Sequence, residues 1–255
     1  MAENPTRLRT CLIVPCYNEA LRLNVEEFRS FLAATDFVRI LFVDDGSRDA
    51  TAGILEQLCT GLEDRAAVLR NPRNGGKAEA VRTGILYALR TFDPEIIGFW
   101  DADLATPLDA VPRLLAILEQ QPSVEMVFGS RIQLLGRHVE RRPVRHYLGR
   151  VFATAVSVVL KLPIYDSQCG AKLFRAGKHC AGIFAEPFLS KWVFDVEIVA
   201  RYLKLYGGEP KRLEEAIYEY PLEKWVDVAG SKVRQIDFIR AFTDIVKIKR
   251  RYLSG

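Results

Sequence analysis

Two aspartates, Asp101 and Asp103, stand one residue apart directly after the apolar run Ile96–Trp100. Residues two apart on an extended segment point to the same side, so the two carboxylates could hold one divalent cation. Such a cation would also take the oxygens of a diphosphate and act as a Lewis acid on a departing nucleotide. The same pair is compatible with a solvated turn or a helix N-cap, so the spacing alone leaves both interpretations open.

Three further polar clusters follow three earlier apolar runs in the same way. They are Pro15-Cys16-Tyr17-Asn18-Glu19, Asp44-Asp45-Gly46-Ser47 and the stretch from Asn71 to Lys77. A carboxylate such as Asp45 can accept hydrogen bonds from a base or from ribose hydroxyls. The Gly75-Gly76 turn lets the backbone approach a ligand closely, and Lys77 can offset phosphate charge. Each cluster alone is also typical of an ordinary turn, but their shared position after strands favours a nucleoside diphosphate site.

Apolar runs alternate with helical patterns through the first half of the chain. This alternation predicts an α/β fold in which helices cover both faces of a mainly parallel central sheet, with a Rossmann-like nucleotide-binding half. Ligands bind beyond the carboxyl ends of such strands, so the four clusters should meet at one edge. The predicted strands are 10–14, 38–43, 66–69, 96–100 and 124–128, and the predicted helices are 25–34, 50–62, 76–90 and 108–120.

The character of the sequence changes near residue 130. Residues 136–150 are polar and rich in arginine, and the apolar stretch Val151–Leu160 follows. A turn-rich segment leads into a strand near 174, and helical spacing at 192–206, a strand at 217–221 and an amphipathic helix at 231–253 complete the pattern. No linker or repeat interrupts the chain, so we expect a single domain, 1–255, whose halves lie at about 10–130 and 131–255.

The bulk composition is that of an ordinary globular protein, with 49% apolar and 27% charged residues. A net charge of +4 does not indicate a nucleic acid partner, and we expect none. Five scattered cysteines without a CxxC pair favour reduced thiols and a cytoplasmic location. The N-terminus has no apolar signal core, and the longest apolar run is about half of the ~20 residues that span a bilayer.

A basic segment that leads into a short apolar helix is typical of a helix lying in a membrane interface. A core helix with a solvated basic extension is the alternative. The final helix is ambiguous in the same way, since it can cap the core or rest on a membrane.

Several long motifs together resemble glycosyltransferase family 2, which has the GT-A fold. They are IVPCYNEALRL, FVDDGSRDAT, NPRNGGKAEAVRTG, FWDADLATP and VFGSR. The later stretches DSQCGAKLFRA (166–176) and KWVFDVEIVARY (191–202) resemble the branch that uses polyprenyl-phosphate acceptors, closest to dolichyl-phosphate β-glucosyltransferase-like enzymes. The resemblance extends over roughly residues 12 to 249.

This resemblance implies an inverting, metal-dependent transfer from a nucleotide sugar to a polyisoprenoid phosphate. It implies Mg²⁺ or Mn²⁺ on Asp101 and Asp103, with Asp195 and Glu197 near the reacting centre. It places Arg131 at the acceptor phosphate. The basic segment supplies further cations, and we expect Arg142 and Arg145 to contact the same phosphate. The implied nucleotide-sugar contacts are Pro15, Tyr17, Glu19, Asp45, Gly46, Lys77, Asp101, Gln168, Lys172 and Lys232, with Ser231 beside the last of these.

Ala105 stands where mannosyl-type relatives often carry a glutamine, which removes a third side-chain metal ligand and favours the glucosyl type. A phosphate monoester is largely a dianion at neutral pH, so it needs cations to position it more than a base. We therefore expect glucose transfer from UDP-glucose, favoured over a GDP-sugar, to dolichyl or undecaprenyl phosphate. The enzyme would be peripheral on the cytoplasmic face of the membrane. The alternatives are a soluble family 2 enzyme with a glycan or small hydroxyl acceptor, and a non-catalytic sugar-nucleotide or lipid-headgroup binding module.

Overall fold

A computed structural model describes residues 7–140, 143–228 and 235–253, with side chains for all of these except 143–146 and 235–239. The strands are β1 (Thr10–Cys16), β2 (Val38–Asp44), β3 (Ala66–Arg70), β4 (Ile96–Trp100), β5 (Met126–Ser130), β6 (His138–Glu140), β7 (Ala171–Arg175), β8 (Ile217–Pro221) and β9 (Lys224–Val226). The helices are α1 (Val25–Ala34), α2 (Thr51–Cys59), α3 (Lys77–Thr91), α4 (Val111–Gln120), α5 (Pro143–Leu160), α6 (Lys178–Ala185), α7 (Phe194–Leu205), α8 (Pro210–Glu214) and α9 (Gln235–Tyr252). A single 3-10 turn, Leu108–Ala110, precedes α4.

Seven of these strands form one sheet in the order β3-β2-β1-β4-β7-β5-β8. Pairs β1–β2, β1–β4, β2–β3 and β5–β8 are parallel, whereas β7 is antiparallel to both of its neighbours. The short strands β6 and β9 pair separately in parallel. The prediction of an α/β fold with a mainly parallel sheet is confirmed.

Apolar side chains on the two faces of the sheet build two halves of the core. Along β1, Cys11 and Ile13 belong to one half and Leu12 and Val14 to the other, as the period of two in a strand requires. Helices α3, α5, α6, α7 and α9 cover the first face, and α1, α2 and α4 cover the second. Because both faces are buried, the strands are continuous apolar runs, which made them recognisable in the sequence.

The predicted strands and helices of the first half lie within a few residues of those observed. Helix α1 and strand β4 match their predicted bounds, as does β8 in the second half. Helix α5 begins at Pro143, eight residues before the predicted apolar stretch, and proline is favoured at the first position of a helix. Helices α6 and α8 and the small β6–β9 sheet were not predicted.

No helix in the described part of the chain is both long and apolar enough to cross a membrane.

Candidate active site

The four polar loops after β1, β2, β3 and β4 meet at one edge of the sheet, as predicted. They open into a cavity of about 570 Å³. The first loop contributes Pro15, Tyr17 and Glu19, and the others contribute Asp45, Gly76, Lys77, Asp101 and Asp103. The far wall comes from the second half of the chain, with Arg131, the segment Tyr165–Gln168, the segment Lys191–Asp195, Trp225 and residues of α5 and α9. The cavity is therefore a shared product of both halves.

Asp45 organises the loop that joins β3 to α3. Its carboxylate is 2% exposed and accepts hydrogen bonds from Asn71 Nδ2 at 2.9 Å and from the backbone N–H of Gly76 at 2.8 Å. Gly46 does not line the cavity. It has φ +69°, and a Cβ there would meet the backbone of Arg73 at 2.8 Å. Gly46 thus gives the loop its shape, while Asp45 both holds the loop and faces the cavity.

Glu19 is nearly buried and is paired with a cation from its own loop. Arg22 donates to both of its carboxylate oxygens at 2.8 Å, and the backbone N–H of Glu19 donates to Thr51 Oγ1 at 2.8 Å. This pairing orients the cavity wall beside Pro15 and Tyr17 and largely neutralises the Glu19 charge.

Asp101 and Asp103 form the carboxylate pair of the site. Burial raises the pKa of Asp103, and the charge of Asp101 raises it further. Lys77 forms an ion pair with Asp101. Burial opposes the charge on Lys77, but the carboxylates of Asp101 and Asp195 outweigh that effect and raise its pKa. The site thus concentrates negative charge that calls for a cation.

The donor set of this pair fits a divalent metal. Two carboxylates suit Mg²⁺ or Mn²⁺, which keep further coordination positions for phosphate oxygens and water. Among the described residues, those of this cavity included, no group of three or more His, Cys, Asp or Glu side chains could hold a metal ion, so ligands other than this pair would have to complete the coordination. Gly170 on the neighbouring segment is essential to this arrangement, because a Cβ at that position would overlap the Asp101 carboxylate.

Arg131 lies on the opposite wall, bound by a carboxylate that the sequence reasoning missed. Its Nε and Nη2 donate to the two oxygens of Asp166 at 2.6 and 2.7 Å, and its backbone N–H donates to the same group at 3.0 Å. Burial would lower the pKa of Arg131, but Asp166 raises it well above its ordinary value. The guanidinium also lies 5.4 Å from the Trp225 ring centroid.

A second carboxylate, Glu219 on β8, fixes the segment that carries Asp166. It accepts the backbone N–H groups of Tyr165 at 2.9 Å and Asp166 at 2.7 Å. Burial raises the pKa of Glu219 above its ordinary value. An acidic residue in the turn-rich segment after α5 was the available signal for Asp166, but only the fold brings β5, β8 and this segment together.

The acidic residues of α7 separate into two roles. Asp195 lines the cavity, as expected for a residue near the reacting centre. Glu197 is fully buried outside it, where it accepts hydrogen bonds from Arg201 at 2.7 Å, Leu189 N–H at 2.8 Å and Tyr252 O–H at 2.9 Å. The expected catalytic role of Glu197 is not supported by this position, since its oxygens are committed to structural partners.

Lys172 also differs from expectation. Its side chain is fully buried in β7, with the ammonium bound to the carbonyl of Cys169 and 2.7 Å from Asp195 Oδ1, an ion pair whose orientation departs from a hydrogen bond. It does not line the cavity, so a direct contact with a nucleotide sugar is not supported. Lys172 instead forms its ion pair with Asp195 from outside the cavity.

The other expected site residues have different outcomes. Gln168 lines the cavity on the side of Asp166. Arg142, Ser231 and Lys232 lie outside the described residues, as does the side chain of Arg145. Burial raises the pKa of the Cys169 thiol, which keeps it protonated beside the site. Trp192, whose closeness to Asp195 in the sequence left a sugar-stacking role open, lines the cavity, as does Lys191, which the sequence did not indicate as a site residue.

A mainly parallel sheet with a carboxylate pair beyond β4 and a cavity at its carboxyl edge is the arrangement of one class of protein, the GT-A nucleotide-sugar glycosyltransferases. The family model described as Glycosyl transferase family 2 matches residues 11–182. The chain belongs to glycosyltransferase family 2 and is a glycosyltransferase.

Curated relatives match nearly the whole chain. The dolichyl-phosphate beta-glucosyltransferase of Mus musculus is 30% identical over 268 residues, which cover 99% of this chain and 78% of that protein. The enzyme of the same name from Saccharomyces cerevisiae is 30% identical over 266 residues, 96% of this chain and 75% of that protein.

Solved structures share the fold at low sequence identity. Glucosyl-3-phosphoglycerate synthase from Mycobacterium tuberculosis, in complex with Mn²⁺, UDP-glucose and phosphoglyceric acid, superposes with a TM-score of 0.68 at 16% identity, covering 95% of this chain and 80% of that one. A mannosyltransferase from Pyrobaculum calidifontis, in complex with GDP-mannose and Mn²⁺, has a TM-score of 0.63 at 21% identity, covering 98% and 66%.

Proposed function

We propose that this enzyme transfers glucose from UDP-glucose, with inversion, to the phosphate of a polyprenyl lipid at a membrane surface. One observation carries the proposal. A single cavity connects the Asp101–Asp103 pair with Arg131 and with two helices, α5 and α9, that expose apolar side chains. The names of the curated relatives support the glucosyl donor and the dolichyl-phosphate type of acceptor.

The donor half of the cavity is formed by the first four strands. Pro15, Tyr17, Glu19 and Asp45 provide the wall for the nucleoside, and Lys77 and the Gly76 turn lie beside the diphosphate. Asp101 and Asp103 would hold Mg²⁺ or Mn²⁺, which supplies Lewis-acid stabilisation of the departing nucleotide when bound. Solved structures of the same fold contain Mn²⁺ with UDP-glucose in one case and with GDP-mannose in another, so it is the glucosyl type named by the curated relatives that favours a UDP-glucose donor.

Arg131 is the residue we assign to the acceptor phosphate. Asp166 takes Nε and Nη2, and among the described residues Nη1 has no hydrogen-bond partner, so it can donate to a phosphate oxygen. Because the phosphate is already a dianion, its oxygen can attack the anomeric carbon without losing a proton. As that bond forms, the bond from the anomeric carbon to the β-phosphate oxygen breaks, and its electron pair leaves on UDP.

Helices α5 and α9 suit a surface that meets lipid. On α5, Tyr147, Val151 and Val158 are 71%, 61% and 72% exposed, and Phe242 and Val246 on α9 are 40% and 48% exposed. The two helices touch through Phe152 and Phe242, whose ring centroids are 5.9 Å apart. Basic residues at Arg150 and Lys249–Arg251 accompany them. We place this surface on the cytoplasmic leaflet, whose anionic lipids attract such residues.

A hydroxyl acceptor is the competing proposal within the same family. It would need a carboxylate base within reach of the hydroxyl. Asp195 is the cavity carboxylate that the family resemblance implies near the reacting centre, but its charge is compensated by Lys172 at 2.7 Å. The ion pair therefore favours an acceptor that is already ionised.

The test is a panel of radiolabelled UDP- and GDP-sugars incubated with the full chain, Mg²⁺ or Mn²⁺, and vesicles containing polyprenyl phosphate. We expect lipid-soluble product with UDP-glucose, and none when the lipid is replaced by free glycans or when EDTA is added. Product with glycans alone would establish the hydroxyl-acceptor alternative. Nucleotide-sugar binding without any transfer would establish a binding module instead.

A further inference from the structure

The cationic side chains of the cavity differ in how much of their charge is available to a substrate. Five of them line it within the described part of the chain: Arg22, Lys77, Arg131, Arg150 and Lys191. Arg22 is bound by Glu19, Lys77 by Asp101, and Arg131 by Asp166. Arg150 and Lys191 have no ion-pair partner among the described residues. Arg150 instead lies over the ring of Tyr165, 4.8 Å from its centroid, on the acceptor side.

Lys191 lies on the donor side, across the Gly76 turn. A Cβ added to Gly76 would come 3.3 Å from Lys191 Cδ and 3.7 Å from its Cβ and Cγ. Gly76 has φ +90°, it donates its backbone N–H to Asp45 at 2.8 Å, and it directly precedes Lys77. The lysine stem therefore packs against the turn that we assign to the diphosphate, in a part of the cavity that Lys191 lines.

The segment that carries Lys191 is held firmly in place. Ser190 Oγ donates to Asp244 Oδ2 of α9 at 2.7 Å and accepts the backbone N–H groups of Trp192 at 3.2 Å and Val193 at 3.0 Å. The backbone N–H of Leu189 donates to Glu197. Lys191 thus projects from an anchored backbone, so binding a ligand does not require this segment to become ordered.

A cation at the position of Lys191 could compensate the negative charge of a diphosphate. A nucleoside diphosphate gains negative charge as the bond to the sugar breaks, and stabilisation that grows with that charge accelerates transfer. Lys77 is already shared with Asp101, so its charge only partly reaches a phosphate. An ammonium without a carboxylate partner, beside the same turn, supplies the remaining compensation.

We propose that Lys191 is a phosphate-binding residue of the donor site, contacting the diphosphate of the nucleotide sugar and of the departing nucleotide. This inference rests on the proposed donor function. It assigns a second lysine, from the second half of the chain, to a phosphate site otherwise built by the first half.

The test is the affinity of the full-length protein for UDP and for uridine in the presence of Mn²⁺, measured by calorimetry. The variants are Lys191→Met, which keeps the stem without the charge, and Lys191→Arg, which keeps the charge. Lys178→Met, at an exposed lysine outside the cavity, is the matched control. We expect Lys191→Met to weaken UDP binding roughly tenfold and to leave uridine binding unchanged. Lys191→Arg should stay within about threefold of the wild type, and the control should bind as the wild type does.

Several results would overturn the inference. Unchanged UDP affinity in Lys191→Met would exclude the contact, and equal weakening of UDP and uridine would indicate a distorted loop. A higher KM for polyprenyl phosphate with unchanged UDP affinity would assign Lys191 to the acceptor phosphate instead. Wild-type protein that binds UDP but transfers nothing to polyprenyl phosphate would refute the proposed function alone. Wild-type protein that does not bind UDP would refute the proposed donor, and the assignment of Lys191 with it.

Discussion

At the scale of single residues, several carboxylates of the site are compensated by a neighbouring cation. Glu19, Asp166 and Asp195 each have a basic partner at 2.6 to 2.8 Å. The Asp101–Asp103 pair is different, because Lys77 compensates only part of two adjacent negative charges. A residual negative charge at this point of the cavity is what a metal site requires.

Asp103→Asn tests this charge imbalance through stability. The pKa of Asp103 is raised in the folded protein, so its ionised form costs stability at neutral pH, and that cost is relieved as the pH falls through the raised value. Without metal at pH 7, Asp103→Asn should therefore have a Tm equal to or above that of the wild type. Mn²⁺ should raise the Tm of the wild type but not that of Asp103→Asn. The increase in the wild type should become smaller as the pH is lowered, because the metal needs the ionised carboxylate.

Thermal unfolding with Mn²⁺ or EDTA measures both effects, and Asp109→Asn, an exposed residue outside the cavity, is the control. An undiminished Mn²⁺ shift in Asp103→Asn would refute the metal assignment.

Glu197→Gln distinguishes a structural carboxylate from a catalytic one. The change leaves the nearly buried Arg201 without its charged partner, which costs about 3 kcal/mol of unfolding free energy. Activity per folded molecule at low temperature should change less than about threefold, because Glu197 does not line the cavity. Urea denaturation and kcat measured side by side give both values. Exposed Glu214→Gln should alter neither. A well-folded Glu197→Gln protein with little activity would restore the catalytic role.

At the scale of elements, α5 resolves an ambiguity that its sequence left open. Phe152, Val156 and Leu160 are buried against the core, while Val151 and Val158, seven residues apart, share an exposed face. The helix is therefore both a core helix and an exposed apolar surface. Its periodicity indicates an amphipathic helix, but only the packing of α7 and α9 against one side decides which residues stay uncovered.

Val158→Asp should weaken binding to vesicles that contain anionic lipid, since it places a charge on the proposed lipid-facing side of α5. Loss of one buried valine corresponds to roughly a tenfold weaker association. Leu21→Asp is the matched control, because Leu21 is fully exposed on the loop after β1. Co-sedimentation with vesicles measures the effect, and circular dichroism checks that both variants fold. Equal binding by Val158→Asp and the wild type would place the membrane contact elsewhere.

At the scale of the whole molecule, the residues beyond 182, where the family model ends, contribute to both the sheet and the cavity. Strand β8 pairs with β5 from beyond that point, and α7 contributes Asp195 to the cavity and a fully buried face to the core. The second half therefore completes both the sheet and the site.

We expect a single cooperative unfolding transition for the full chain, shifted as a whole by UDP with Mn²⁺. A variant ending at residue 182 should not fold, since it loses β8 and all of α7. Calorimetry of the full chain and circular dichroism of the shortened one test this. Two separate transitions, or a folded shortened chain, would show that the halves are independent domains.

The sequence by itself determined the nucleotide-binding half to a large extent. Its strands are buried on both faces and read as continuous apolar runs, and its polar loops follow them at once, so order and spacing were enough to place Asp45, Lys77, Asp101 and Asp103 together. Local patterns carry that information because each loop is adjacent in sequence to the strand that positions it.

The tertiary structure decided the rest, because those contacts join residues far apart in the chain. Strand β7 enters between β4 and β5 in the antiparallel sense, which buries Lys172 behind Asp195 and sets Gly170 against Asp101. The ion pair of Arg131 with Asp166 and the burial of Glu197 likewise depend on segments that meet only in the fold. Residue type limits which chemistry is possible. How much of a group's charge can act on a substrate depends on its partners, and tertiary contacts determine which partners it has.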